Sequence, residues 1–188
     1  MRVITGSAKG KRLKTLDGQD VRPTTERVKE AVFSIIQFDI EGRLFLDLFA
    51  GSGQMGIEAL SRGAKGAVFV DSRRDSINII KQNLTTTNVE NKAKVFNTDS
   101  LVFALRPQTE KFDIVFLDPP YKTGLLQQAL SLITKQTKNT GIIICERPID
   151  EEIPEKINGF SLDRNYRYGK IMISTYRCKD VNEEWIEL

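Results

Sequence analysis

The sequence predicts an α/β fold: a mostly parallel seven-stranded sheet with helices on both faces, a C-terminal antiparallel hairpin, and a short N-terminal arm or hairpin. Three observations carry this expectation. From residue 44 onward, short apolar runs alternate with stretches of helical spacing, the pattern of right-handed βαβ units. A glycine-rich turn lies between the first apolar run and the first helical stretch. Near the end the pattern changes to two strand-like runs joined tightly around Gly169. A length of 188 residues, 40% hydrophobic and 28% charged, is enough for one domain with a sizeable core.

Residues 1–22 are rich in Gly and Lys, with short apolar pieces at Val3-Ile4, Leu13, Leu16 and Val21, and read as a hairpin or extended arm. Arg22-Pro23-Thr24 opens a helix. Thr24 is its expected N-cap, Glu26 lies in its first turn, and Val28, Ala31, Val32, Ile35 and Ile36 recur at helical spacing. Arg27, Lys29 and Glu30 are assigned to its polar face, and Gly42 ends the unit. Strands are expected at Leu44–Phe49, Ala67–Asp71, Lys94–Asn97, Phe112–Leu117 and Thr140–Cys145, with helices near 54–62, 74–86, 100–105 and 124–135. Cys145 and Glu146 end the fifth strand, as core and edge respectively. Phe160–Tyr168 and Lys170–Arg177 make the terminal hairpin. The expected organisation is a basic segment 1–22, a domain 23–179 and an acidic tail 180–188.

Charge is placed unevenly. Residues 1–30 hold eight Lys/Arg against four Asp/Glu, whereas residues 179–188 hold Lys179 against Asp180, Glu183, Glu184 and Glu187. A basic segment on a nearly neutral chain points to a polyanion or to a solvated surface. The chain has no histidine and two distant cysteines, Cys145 and Cys178, so a His-dependent triad and a zinc site are not expected and free thiols are. The N-terminus lacks the apolar core of a signal peptide, and no apolar run approaches membrane-spanning length. A cytoplasmic protein with no membrane association is expected.

Two segments carry chemistry. Asp47-Leu48-Phe49-Ala50-Gly51-Ser52-Gly53-Gln54-Met55-Gly56 leads from strand to helix and satisfies G-x-G-x-x-G. Its glycines let a ligand approach the backbone, and the helix start offers unpaired N–H groups. Asp71 ends the next strand, where an acid can accept from ribose hydroxyls. The glycines suit a dehydrogenase equally well. Two features favour S-adenosylmethionine: Asp47 stands where it can face an ammonium, and Asp99-Ser100 can reach an adenine edge or else cap the helix beginning at Ser100.

The second segment is Asp118-Pro119-Pro120-Tyr121, after the apolar run Phe112–Leu117. Two prolines fix φ and remove donors, so a carboxylate, free carbonyls and a ring are presented on a stiff shelf. That suits a planar base carrying an NH2 group, or is a rigid turn with a Tyr lid.

Together with Asp47–Gly53, this shelf resembles that of amino-directed, S-adenosylmethionine-dependent methyltransferases of the Rossmann-like class I fold. Three further stretches narrow the resemblance: Arg2–Gly6 with Gly10–Leu13, Arg22–Phe33, and Arg167-Tyr168-Gly169. They resemble the D-type bacterial 16S rRNA guanine-N2 methyltransferases, of the guanine-966 type, as far as about Lys179. The resemblance implies catalytic roles for Asp118, Pro119, Pro120 and Tyr121. It implies cofactor contacts from Asp47, Phe49, Ala50, Gly51, Ser52, Gly53, Gly56, Asp71, Ser72, Asp99 and Ser100. Arg2, Lys9, Lys11, Arg12, Arg22, Thr24, Arg27 and Lys122 are candidates for contacting RNA phosphates; Arg22 and Thr24 could instead line the cofactor pocket. The implied partner is 16S rRNA, naked or within an assembled small subunit, for a monomeric enzyme without a metal. A DNA adenine-N6 methyltransferase, which can use the same shelf, or another amino-directed nucleic-acid methyltransferase, is the alternative. The DNA enzymes generally carry an extra recognition region, whereas 67 residues follow Tyr121 here.

Overall fold

The computed structural model describes residues 1–16 and 26–178, and these fall into two compact units divided after Ser100. Arg22, Thr24 with its expected N-cap role, and the acidic tail lie outside the described residues.

In the first unit α1 (Glu26–Ile35) precedes β1 (Leu44–Asp47), α2 (Gln54–Ser61), β2 (Gly66–Asp71), α3 (Arg74–Thr87) and β3 (Ala93–Asn97). Ser100 opens α4 (Ser100–Leu105). β2 lies between β1 and β3 and pairs with both in parallel, with Asp47 opposite Phe69 and Asp71 opposite Asn97. The apolar runs form strands because Phe45, Leu46, Val68, Phe69 and Val70 are buried on both faces, as a parallel sheet requires. All eight residues of α2 are buried, so its packing tolerates little bulk. A Cβ on Gly56 would stand 2.3 Å from the Phe69 ring, so this glycine is needed for close helix–strand approach.

The N-terminal segment is a hairpin bolted to α2. Arg2 bridges Arg12 in antiparallel fashion, the Val3 N–H donates to the Lys11 carbonyl at 2.9 Å, and Leu13 donates to Met1 at 2.9 Å. Val3, Ala8 and Leu13 are buried. The Glu58 carboxylate accepts the Ile4 and Thr5 N–H groups at 2.8 and 3.0 Å. The Ser61 hydroxyl accepts from Ala8 at 2.9 Å and donates to the Thr5 carbonyl at 2.6 Å.

Lys29 corrects the expected polar face of α1. It is 0% exposed, its Nζ donates to the Arg2 carbonyl at 2.6 Å, and it lies 3.6 Å from Glu58 Oε2. The reason is periodicity: Lys29 shares the stripe of Val32, Phe33 and Ile36, all buried. Burial holds its ammonium below the ordinary range, against the pull of Glu58.

In the second unit β4 (Phe112–Leu117), α5 (Leu125–Ile133), β5 (Thr137–Pro148), β6 (Lys156–Ile157), β7 (Phe160–Tyr168) and β8 (Ile171–Cys178) follow in turn. Their order across the sheet is β4-β5-β8-β7-β6, parallel for β4 with β5 and antiparallel thereafter. Leu126, Ala129, Leu130 and Ile133 make the buried stripe of α5. The turn at Gly169 has φ +63°, as a tight hairpin demands. β6, only two residues long, makes eight strands among the described residues instead of seven.

β5 outruns its expected end at Cys145. Glu146, Arg147 and Pro148 pair with Ile173, Met172 and Ile171, so Glu146 is buried within the pairing and is not an edge residue. Cys145 and Cys178 are free and buried, and burial pushes the Cys145 thiol up to about 12, which makes it a poor nucleophile.

Candidate active site

The glycine loop leaves β1 and enters α2. Gly51 has φ +53°, and a Cβ there would meet nothing within 4 Å, so its backbone is open to close approach. Gly53 has φ +76° and packs against Ile80, so its role is conformational and steric. The N-cap of α2, Gly53, has no side chain to cap the helix, and the carboxylate of Asp47 from β1 takes the first-turn N–H of Gly56 instead. Phe49 and Ser52 are half-buried and Ala50 is buried, its N–H donating to the Val70 carbonyl at 2.9 Å.

Asp71 stands at the C-terminal end of β2. Its Oδ2 accepts the Gly51 N–H at 2.8 Å and its Oδ1 accepts the Arg73 N–H at 2.8 Å. Each oxygen keeps a further acceptor position, so the acid holds the loop and can still receive hydroxyls. Asp47 is buried, with Oδ2 accepting the Gly56 N–H at 3.1 Å. Burial, opposed by that bond and reinforced by the nearby Asp71 charge, pushes its carboxyl up to about 7. Ser72 and Asp99 are exposed, and the buried Ser100 donates its hydroxyl to the Leu48 carbonyl at 2.7 Å, at the start of the loop that follows β1. The open Gly51 backbone, the placed Asp71 and the poised Asp47 fit S-adenosylmethionine.

Sequence reasoning missed Asn83. From α3, its Nδ2 donates to the Ser52 and Lys14 carbonyls, both at 2.9 Å, and its Oδ1 accepts the Lys14 N–H at 2.8 Å. It clamps the glycine loop to the N-terminal segment. A buried Asn among Ile80 and Leu84 at helical spacing was the available signal.

In the second unit Asp118 is half-buried, Pro119 buried and Pro120 exposed. The half-buried Tyr121 donates its hydroxyl to Glu146 Oε1 at 3.1 Å, so the ring is held through its hydroxyl. Thr123 Oγ1 donates to the Pro120 carbonyl at 2.7 Å, closing the turn that follows the two prolines. Glu146 was also missed. Its signal was an acid following an apolar strand, at the carboxyl end where α/β proteins place ligands. Lys122 has φ +60° and pairs with Asp150 at 2.9 Å, both exposed.

Of the basic candidates, Lys9, Lys11, Arg12 and Arg27 are exposed, and Arg2 is exposed 3.7 Å from Glu26. Arg2 and Arg12 stand directly opposite, an arrangement of like charges that an anion would relieve.

A protein family described as "Conserved hypothetical protein 95" matches residues 1–177. YlbH of Bacillus subtilis, whose name proposes an rRNA methyltransferase, is 39% identical over 181 residues, covering 94% of this chain and 98% of YlbH. Ribosomal RNA small subunit methyltransferase D of Haemophilus influenzae is 39% identical over 157 residues, 81% of each chain. The solved structure of yhhF from Escherichia coli superposes with a TM-score of 0.82 at 31% identity, covering 95% of this chain and 97% of the other.

Proposed function

The chain belongs to the conserved hypothetical protein 95 family, alongside ribosomal RNA small subunit methyltransferase D, and from that membership and the chemistry of its residues we propose an S-adenosylmethionine-dependent transfer of methyl to the exocyclic N2 of a guanine in 16S rRNA. Guanine 966 is the proposed target, and the assembled small subunit or its naked rRNA the proposed substrate. The observation that supports this most is the shelf: a carboxylate and a proline carbonyl beside a tyrosine whose hydroxyl is held by a buried glutamate.

The bound cofactor supplies a methyl group on a sulfonium. Gly51, Asp47 and Asp71 hold it. The guanine N2 lone pair is delocalised into the ring, so the nitrogen is a poor nucleophile. Asp118 and the Pro119 carbonyl accept from the NH2 group, aim the lone pair, and favour the positive charge that develops on nitrogen. Positioning of this kind supplies ~7–11 kcal/mol of barrier reduction, so no strong base is required. A bound sulfonium would supply the methyl and take back its bonding pair, and Asp118 or water would receive the proton that the methylated nitrogen gives up. Tyr121 stacks on the base, which must leave its own stack to reach the shelf. Arg2, Lys9, Lys11, Arg12, Arg27 and Lys122 contact phosphates.

The test is mass mapping of rRNA from a deletion strain. Loss of one N2-methylguanine is expected; an unchanged map sinks the assignment, as does tight binding of NAD in place of S-adenosylmethionine.

Two further results are expected. Asp71→Ala raises the Kd for S-adenosylmethionine roughly 10- to 100-fold by calorimetry, since hydrogen bonds to a charged acceptor are lost and the loop is released. Cofactor affinity rises with pH. Below about 7 Asp47 carries a proton that must leave when it faces the cation, so Kd falls by up to about tenfold per unit from pH 5.5 to 7. Asp47→Asn flattens the profile; a flat wild-type profile would refute this role. The same shift acts oppositely on the free protein. Between the ordinary carboxylate range and pH 7 the native state holds a proton the unfolded chain has released, so stability falls as pH rises.

A further inference from the structure

The polar strand β7 has no part in the chemistry above, yet its register aligns it with the shelf. Glu146 lies opposite Ile173, and Ile173 opposite Tyr166. Directly opposed residues of neighbouring strands share a face, so Tyr166 stands on the face from which Glu146 holds the Tyr121 hydroxyl. Tyr168 belongs to the next row, with Ile171 and Pro148, and Arg164 to the one before, with Thr175 and Ile144. Ile171 and Ile173 are buried, and both tyrosines are half-buried beside them. Two strand spacings place Tyr166 ~10 Å from Glu146, within reach of nucleotides adjoining a base held at Tyr121.

Charge selects the occupant. Arg164 is exposed on this face, Arg177 shares it opposite Ile142, and Lys170 is exposed at the turn. Glu146 is the acid of these rows, buried and accepting the Tyr121 hydroxyl. Aromatic rings interleaved with arginines suit unpaired bases on a phosphate backbone.

We propose that Tyr166 and Tyr168, flanked by Arg164, form a stacking platform for the single-stranded RNA next to the target guanine. It is a second RNA surface besides the N-terminal hairpin, and it rests on the rRNA reading above.

The test uses the full-length protein, a fluorescent single-stranded RNA oligonucleotide, and methylation of rRNA. Tyr166→Ala and Tyr168→Ala each raise the oligonucleotide Kd and the RNA KM roughly 5- to 100-fold, with kcat and cofactor Kd unchanged. Tyr166→Phe and Tyr168→Phe keep wild-type affinity, since the ring and not the hydroxyl stacks. Wild-type affinity in both alanine variants overturns the platform while leaving the reaction standing. Equal loss in the phenylalanine variants overturns stacking. A loss confined to assembled subunits, with RNA affinity unchanged, assigns the face to a ribosomal protein and also overturns it. If the alanine variants do not fold, the exposed Arg164→Ala decides: its salt slope of binding drops by about one or the platform is wrong. Absence of methylation by the wild-type protein, with the alanine losses in oligonucleotide binding intact, counts against the reaction and not against the platform.

Discussion

Asp118→Ala is expected to lower kcat by ~10²–10³-fold or more while the Kd for S-adenosylmethionine stays within about twofold. The proposed loss lies wholly in the transition state. Without the carboxylate, one acceptor for the NH2 group is gone and the charge developing on nitrogen has no partner. The residues proposed to hold the cofactor are fixed within their own unit, Gly51 and Arg73 donating to Asp71 and Gly56 donating to Asp47, so cofactor affinity is expected to survive the substitution. Asp118→Asn recovers part of the rate, because an amide oxygen still accepts but carries no charge. Single-turnover methylation with calorimetry separates the two quantities. Wild-type turnover in the alanine variant, or a parallel collapse of cofactor binding, removes Asp118 from the role given to it.

The second large effect is on stability. Glu58→Ala is expected to cost about 3–5 kcal/mol by denaturant unfolding, the range for breaking a buried ion pair. Glu58 is 0% exposed and holds four donors: Ile4, Thr5, the Arg62 Nε at 2.9 Å and the Lys29 ammonium at 3.6 Å. Its removal leaves the buried Lys29 amine without its carboxylate and two backbone N–H groups without acceptors. Because the hairpin carrying Arg2, Lys9, Lys11 and Arg12 hangs on this carboxylate, RNA affinity should fall in a variant that touches no phosphate. A double-mutant cycle with Lys29→Met should show coupling between the two sites. A cost below about 1 kcal/mol would mean that the hairpin is held by its apolar contacts alone.

The sequence was most legible where burial is two-sided. β4 starts and ends where its apolar run does, and the glycine turn stands between strand and helix as its spacing requires. It was least legible where polar residues are buried by partners far along the chain. Lys29 reads as a surface lysine until Glu58 and the Arg2 carbonyl are beside it, and Glu146 reads as an edge until β8 pairs with it. Both cases have the same origin: a charge enters a core only when another segment supplies its partner, and that partner has no fixed offset in sequence.

For the candidate residues the division is similar. Local pattern alone determined the α/β architecture, the G-x-G-x-x-G loop with Asp71 at the next strand's end, and the stiff Asp118–Tyr121 shelf, because each depends on periodicity, on glycine φ or on the geometry of proline. Tertiary structure decided that Gly51 is open while Gly56 is packed, that Asp47 is buried enough to titrate near neutrality, and that Tyr121 is oriented by Glu146. It also decided that the basic N-terminus is a hairpin fixed to α2 instead of a free arm. Those properties are sums over neighbours, desolvation, close contact and hydrogen bonding, and neighbours are set by how strands and helices pack and not by where they stand in the chain.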